Sequence, residues 1–158
     1  MNTNHRKRTP EASINVEGAQ GLSNPQGVTP LFGGLLSLFT RAQAIEDGLL
    51  VDVTIRAREA GWRGNEVALT RAVWEDCVAW TDADSRRQTY QDEVGRLLDV
   101  LGMAWIAGHR HRGGCFFSLH RVPRGGRRVR PREVELKLVC EVVGACKPEI
   151  TIMMPSED

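Results

Sequence analysis

The spacing of hydrophobic residues changes once along the chain, from a helical period in the first part to strict alternation in the last. The longest helical pattern covers Thr89–Ala107, where an apolar stripe recurs at helical spacing. Shorter helical patterns begin at Thr40, Thr54 and Thr70, and a hydroxyl side chain at each start is typical of a helix N-cap. The first part of the chain is therefore predicted to be helical, with Leu49–Val53 as a short strand or an extended link.

Three later segments alternate between apolar and polar residues, which is the pattern of a strand with one buried face. They are Cys115–Val122, Glu133–Cys140 and Ile150–Met153. Glycines within Arg124–Arg127 suit a hairpin turn, and Gly144–Pro148 supplies the second connection. The sequence thus predicts an α+β fold, in which short helices and one long helix pack on a C-terminal three-stranded antiparallel β-meander.

The N-terminal segment is polar, rich in Asn, Gly, Pro, Ser and Gln, and poor in large apolar residues. Such a segment buries too little surface to offset its ordering entropy. Residues 1–30 are therefore predicted to be a disordered tail, and residues 31–158 a single α+β domain. No signal peptide is evident and no apolar stretch is long enough to span a bilayer, so we expect a cytoplasmic protein with no membrane partner.

The net charge of +1 conceals a strongly basic segment. Residues 109–132 contain eight arginines and no acidic residue, whereas the flanking segments are net acidic. A guanidinium group binds phosphate in a bidentate manner, so a surface of arginines suits the backbone of a nucleic acid. The candidate contacts for nucleic acid or another acidic partner are Arg110, Arg112, Arg121, Arg124, Arg127, Arg128 and Arg130, with Phe116 and Phe117 as candidates for stacking on an exposed base.

The arginine segment also has a structural interpretation, as a solvated loop whose charge is neutralised by the acidic flanks. If the segment binds a partner, a hairpin geometry would bring both of its arginine clusters to one end of the sheet. The sequence leaves both interpretations open, and it does not indicate an oligomeric state.

Metal and cofactor sites are not recognisable in the sequence. His109, His111 and Cys115 lie close together along the chain, but their spacing is not that of a metal site. No phosphate-binding loop, dinucleotide fingerprint or nucleophile elbow is present. We therefore expect no metal and no cofactor.

Several acidic and reactive residues also have a structural interpretation. Asp82 and Asp84 follow Thr81 and are typical of a helix cap, although exposed carboxylates there could mimic phosphates toward a protein partner. Cys77 falls on an apolar helix face and is expected to be buried. Trp62 is the tryptophan that we expect to be exposed.

An enzyme is the less favoured interpretation. An active site could assemble from Tyr90, Asp92 and His120, but acid–base chemistry needs a shifted pKa in a cleft, which a sequence does not reveal. A non-catalytic protein that binds nucleic acid, or a host complex that handles nucleic acid, is therefore the leading functional prediction.

The chain resembles an uncharacterised domain family of small proteins that are encoded on bacterial plasmids, integrative elements and phages. The resemblance covers residues 32–158. It is carried by five segments, which are Phe39–Gly48 with Leu50–Val53, Ala57–Trp62, Val67–Thr70 with Val73 and Trp74, Asp92–Glu93 with Gly95–Leu97 and Asp99–Leu101, and Ile150–Pro155. The chain departs from the family at Gly102, at Gly108 and over His109–Gly114.

The resemblance implies a genetic setting and no particular activity. That setting is an accessory gene on a mobile genetic element, where such genes serve conjugation, maintenance or evasion of host defence. It raises a second functional hypothesis, in which the protein inhibits a host defence system by protein–protein contact, as anti-CRISPR and anti-restriction proteins do.

Overall fold

The computed structural model describes residues 40–111, 114–127, 129–142 and 147–157. Its five strands are β1 (Leu50–Asp52), β2 (Glu66–Thr70), β3 (Gly114–Arg121), β4 (Arg132–Glu141) and β5 (Glu149–Met153). They form one sheet in the order β1-β2-β5-β4-β3, in which β2 and β5 run parallel and the other neighbours antiparallel. The predicted tail at 1–30, residues 31–39 and most of the second predicted connection lie outside the described residues.

The helices connect and cover these strands. Residues 40–46 are helical and are called α1. The other helices are α2 (Thr54–Glu59), α3 (Arg71–Val73) with its continuation as a π-helical turn over Trp74–Val78, α4 (Asp82–Arg87) and α5 (Glu93–Arg110). The Thr70 hydroxyl accepts a hydrogen bond from the Val73 backbone N–H at 3.4 Å, so Thr70 caps α3 as predicted.

The α+β class is confirmed, but the sheet has five strands where the sequence predicted three. The missed strand β2 contains Val67, Ala68 and Leu69, which are all fully buried. A strand buried on both faces shows a continuous apolar run and no alternation, so the period that predicts strands is absent from β2. The long helix also begins later than predicted, because Asp92 accepts a hydrogen bond from the Gly95 N–H and acts as its N-cap.

The hydrophobic core lies on one face of the sheet, beneath α5. That helix buries Leu97, Val100, Leu101 and Ala104. Alternate residues of four strands face it, and they are Val67 and Leu69 of β2, Phe117 and Leu119 of β3, Leu136 and Leu138 of β4, and Ile150 and Ile152 of β5. Because the remaining strand residues point to the other face, the polar side chains of β4 and β5 lie opposite the core.

Helix α1 packs on that second face through one arginine. The Arg41 guanidinium donates to the Thr151 hydroxyl at 2.8 Å and to the Ile150 carbonyl oxygen at 2.9 Å. Its Nε lies 3.8 Å from the buried carboxylate of Glu149. The helix therefore covers the start of β5 with a buried ion pair.

Candidate nucleic-acid interface

The basic segment runs over two separate ends of the molecule. Arg110 ends α5 before β3 begins, whereas Arg124, Arg127 and Arg130 lie in the turn after β3. The eight residues of β3 span about 24 Å at about 3.4 Å per residue. The expectation that both arginine clusters gather at one end of the sheet is therefore wrong. Arg112 and Arg128 lie outside the described residues.

Two of the predicted contact residues are engaged within the protein. Arg121 makes a bidentate ion pair with Asp76, with Nη2 at 2.7 Å from Oδ1 and Nε at 2.9 Å from Oδ2. Arg124 donates to Glu75 at 3.0 Å, and its Nε lies 3.3 Å from the Asp84 carboxylate. These ion pairs tie the turn to the π-helical turn and to α4, which makes the two arginines positioning residues and not free phosphate ligands.

Asp84 is a buried cap rather than an exposed carboxylate. The Thr81 hydroxyl donates to its Oδ2 at 2.6 Å, and Arg87 donates to its Oδ1 at 2.9 Å. The hydrogen bond from Thr81 is the main cause that lowers the pKa of Asp84. Only 2% of Asp84 is exposed, so its carboxylate is not available to mimic a phosphate. Asp82 is exposed, and the cap predicted at Thr81 is confirmed.

A buried arginine that the sequence did not single out joins α5 to the end of β3. Arg96 is 5% exposed, and it donates to the carbonyl oxygens of Val78 at 3.0 Å and Val122 at 3.2 Å. Its guanidinium carbon lies 4.6 Å from the ring centroid of Trp80. Burial lowers the pKa of Arg96. The sequence does not indicate this role, because Arg96 looks like any other charged residue of an amphipathic helix.

The remaining described arginines at this end are exposed. Helix α4 is held beside the turn because Gln88 donates to the Pro123 carbonyl oxygen at 2.9 Å. Apart from Arg87, which pairs with Asp84, the members of this group make no ion pair with a described residue. We call the group the hairpin surface, and its members are Arg86, Arg87, Arg127, Arg130 and Arg132.

Three acids near the hairpin surface are already paired, whereas Asp82 and Glu133 stay exposed beside it. Glu75 and Asp76 are bound by Arg124 and Arg121, and Asp84 is bound by Arg87 and Arg124. These three acids thus neutralise Arg121, Arg124 and Arg87, and the other arginines of the hairpin surface stay unpaired among the described residues. The adjacent pair Arg86-Arg87 was the sequence signal that would have extended the predicted site to α4.

The predicted stacking residue Phe117 is in the core. It is 7% exposed and shares a strand face with Leu119, so it cannot stack on a base. Phe116 points to the opposite face and is 58% exposed. Of the two phenylalanines, only Phe116 remains available to a partner.

The cysteine and histidine side chains do not form a reactive site among the described residues. No group of three or more potential metal ligands is present in that part of the chain. Cys77 is buried as predicted, and burial together with Asp76 raises the pKa of its thiol to about 11. His109 stacks on Trp105 with ring centroids 3.7 Å apart. Its Nδ1 lies 2.9 Å from the Trp105 carbonyl oxygen.

The hypothetical catalytic residues do not form a cluster. Asp92 caps α5, Tyr90 is 85% exposed in the preceding loop, and His120 is exposed on β3. In the described ranges, no hydrogen bond connects any two of these three side chains.

A groove that the sequence did not predict lies at the other end of the molecule, where α5 ends. Its volume is about 680 Å³, and Arg63, Trp105, His109 and His111 line it. Trp62 forms its floor and is only 5% exposed, because its Nε1 donates to the Leu101 carbonyl oxygen at 3.2 Å. The expectation that Trp62 is exposed is therefore wrong.

The described part of the chain contains no helix with the length and apolar character needed to cross a membrane. A comparison of the chain with protein-family models, with curated proteins and with solved structures finds no match.

Proposed function

We propose that this protein binds nucleic acid through the hairpin surface and catalyses no reaction. The observation that carries the proposal is the exposure of Arg86, Arg127, Arg130 and Arg132, which make no ion pair with a described residue. Guanidinium groups presented together attract the phosphate backbone and bind its oxygens bidentately. The setting implied by the family resemblance, an accessory gene on a mobile element, supports a partner that carries phosphate.

The base of the hairpin is held before any partner binds. Arg121 and Arg124 fix the turn to its supports, and Arg96 fixes the end of β3 to α5. A surface held in this way loses less conformational entropy on binding than a free loop does. The positioning arginines thus support binding indirectly, while the exposed arginines contact the phosphates.

Fluorescence anisotropy with labelled single- and double-stranded DNA and RNA, over a series of salt concentrations, tests this function. The informative variant is Arg127→Ser/Arg130→Ser/Arg132→Ser, because all three side chains are exposed and unpaired among the described residues. We expect its affinity to fall at least about tenfold, and the salt slope to decrease by about 2 to 3.

The matched control is Arg56→Ser/Arg58→Ser/Arg63→Ser, which removes the same charge from exposed positions around α2. It should retain most of the wild-type affinity. Equal losses in both variants would mean that binding follows net charge and not the hairpin surface, and a wild type that binds nothing at low salt would refute the proposal.

A second candidate, inhibition of a host defence protein by direct contact, is favoured by a different surface. Glu133, Glu135 and Glu141 are exposed and point from one face of β4. With the exposed Asp82, these glutamates replace Asp84 in the role of phosphate mimic that the sequence assigned to Asp82 and Asp84. Capture of a host protein that is lost in Glu133→Gln/Glu135→Gln, but kept in the hairpin triple variant, would favour this candidate.

A further inference from the structure

The strand β3 forms an open edge of the sheet. Among the described residues it pairs only with β4. It contains eight residues without proline or lysine, and these are the residues that usually protect an exposed edge. Phe116 adds an apolar side chain that is 58% exposed. The strand therefore offers backbone groups and apolar surface to an additional strand.

An apolar flank of α5 borders this edge. Leu98, Met103 and Ile106 are 37%, 40% and 46% exposed. Together with Gly102 they line a groove of about 460 Å³ whose other wall is Ser118 and His120 of β3. A Cβ atom placed on Gly102 would meet no atom within 4 Å. Packing within the described part of the chain thus gives no reason for glycine here, although glycine weakens a helix.

The apolar flank of α5 is complementary to the same flank of a second copy that is related to it by a two-fold rotation. Leu98 and Ile106 lie four residues on either side of Gly102, near the middle of α5. If two α5 helices pack antiparallel with their Gly102 residues at the crossing, Leu98 of each copy faces Ile106 of its partner. Glycine at the crossing allows the helix backbones to approach closely.

Charge on the exposed surface of α5 follows the same symmetry. Asp92 caps its start, Asp99 lies in its first half, and His109 and Arg110 take its last two positions. Antiparallel packing places the basic end of one helix beside the acidic half of the other. A parallel arrangement would instead bring like charges together.

We propose that a second copy of this chain occupies the groove. The two copies are related by a two-fold axis that passes near Gly102 and Ser118. Their β3 strands pair antiparallel into one ten-stranded sheet, and their α5 helices pack on it side by side. Such an interface is isologous, so each copy uses the same residues. Specific association requires about 1,200 Å² of total buried surface, and eight strand residues with one helix flank on each copy supply an area of that order.

Sedimentation velocity of the full chain over a wide range of concentration tests for the dimer. We expect reversible dimers for the wild type and monomers for Leu98→Lys and for Ile106→Asp. The matched control is Ile55→Asp, because Ile55 is 74% exposed on α2 and lies away from the groove, so this variant should dimerise normally. Circular dichroism confirms that each variant is folded.

Mixing the two disrupted variants tests the geometry itself. If Leu98 faces Ile106 of the partner, a mixture of Leu98→Lys and Ile106→Asp forms a heterodimer. One contact then becomes a lysine–aspartate pair, and the other keeps the native leucine and isoleucine. Recovery of dimers in the mixture would support the antiparallel arrangement.

Three results would overturn the proposal. They are a wild type that is monomeric throughout, dimers that persist in both single variants, and a mixture that stays monomeric while the wild type dimerises. Since the proposed nucleic-acid function does not enter this test, either proposal can fail without the other.

Discussion

Glu149 is the least satisfied charged group in the described part of the protein. It is 2% exposed, and neither carboxylate oxygen has a hydrogen-bond partner there. Its one compensating charge is Arg41, whose Nε lies 3.8 Å away. Glu66 and Glu141 stand directly beside it on the neighbouring strands and point to the same face of the sheet. Three carboxylates therefore lie in a row across the sheet, with the buried one in the middle.

The energetic terms at Glu149 sum to a net destabilisation. The attraction to Arg41 at 3.8 Å contributes about 4 kcal/mol at an effective dielectric constant of about 20. Transfer of a carboxylate out of water costs several kcal/mol. Repulsion from Glu66 and Glu141, which are exposed and better screened, adds about 1 kcal/mol each. We expect Glu149→Gln to stabilise the protein by about 1–2 kcal/mol at neutral pH, because it removes the buried negative charge while Arg41 keeps its hydrogen bonds to Thr151 and Ile150.

The difference in stability between the wild type and Glu149→Gln depends on pH, and the pKa of Glu149 determines its direction. Burial raises the pKa of Glu149 above its ordinary value of 4.5, Arg41 opposes this, and the two flanking glutamates add to it. As the pH rises above the unfolded-state pKa, the unfolded chain loses the Glu149 proton before the folded protein does. The folded wild type is therefore destabilised with rising pH until its own pKa is passed. The advantage of Glu149→Gln should vanish at low pH and grow as the pH increases.

Urea unfolding from about pH 4 to about pH 8 measures this difference. In the same assay Arg41→Met should lose about 3 kcal/mol or more, because it leaves Glu149 buried without a counter-charge. Arg41→Met/Glu149→Gln should recover most of that loss. The reasoning is refuted if Glu149→Gln is less stable than the wild type at neutral pH, or if their difference does not change with pH.

Two further predictions concern the supports of the hairpin surface, and a third concerns the buried Cys77. Arg96→Met should destabilise the protein by about 3–5 kcal/mol in urea unfolding, because buried carbonyl oxygens lose their donor; a loss below about 1 kcal/mol would show that water replaces it. Asp76→Asn should lower the free energy of unfolding by about 1–3 kcal/mol and weaken nucleic-acid binding, since Arg121 loses its bidentate partner. If stability falls while affinity is unchanged, the ion pair stabilises the fold without supporting binding. Cys77, whose thiol pKa is raised to about 11, should resist alkylation at pH values where Cys115 and Cys140 react, as mass spectrometry of partly labelled protein would show.

Sequence patterns predicted the elements that have one buried face. The alternation in β3 and β4 and the cap at Thr70 are local signals, and both appear in the structure. Strand β2 was missed because Val67, Ala68 and Leu69 are buried together, which removes the alternation that identifies a strand. Local patterns therefore predict strands whose residues alternate in polarity better than strands with a continuous apolar run.

The candidate site was predictable in composition and not in arrangement. The basic segment was visible in the sequence, but the partners of Arg121 and Arg124 lie forty or more residues earlier in the chain. Such pairing depends on the tertiary fold, and no spacing rule reveals it. Phe117 was assigned to the wrong environment although the alternation marks its face, since Ser118 and His120 on the opposite face are polar.

The two proposals are connected by the position of Arg110. Within one copy, Arg110 and the hairpin surface lie at opposite ends of β3. Antiparallel pairing of β3 would bring Arg110 of one copy to the hairpin end of its partner, so that arginines separated within a chain share one surface in the dimer. A nucleic acid that contacts both would favour the dimer, and by linkage dimerisation would strengthen its binding by the same factor. Leu98→Asn changes no charge, yet on this reasoning it should weaken nucleic-acid binding, whereas Ile55→Asn should not. If Leu98→Asn is monomeric and binds like the wild type, the hairpin surface acts within a single copy.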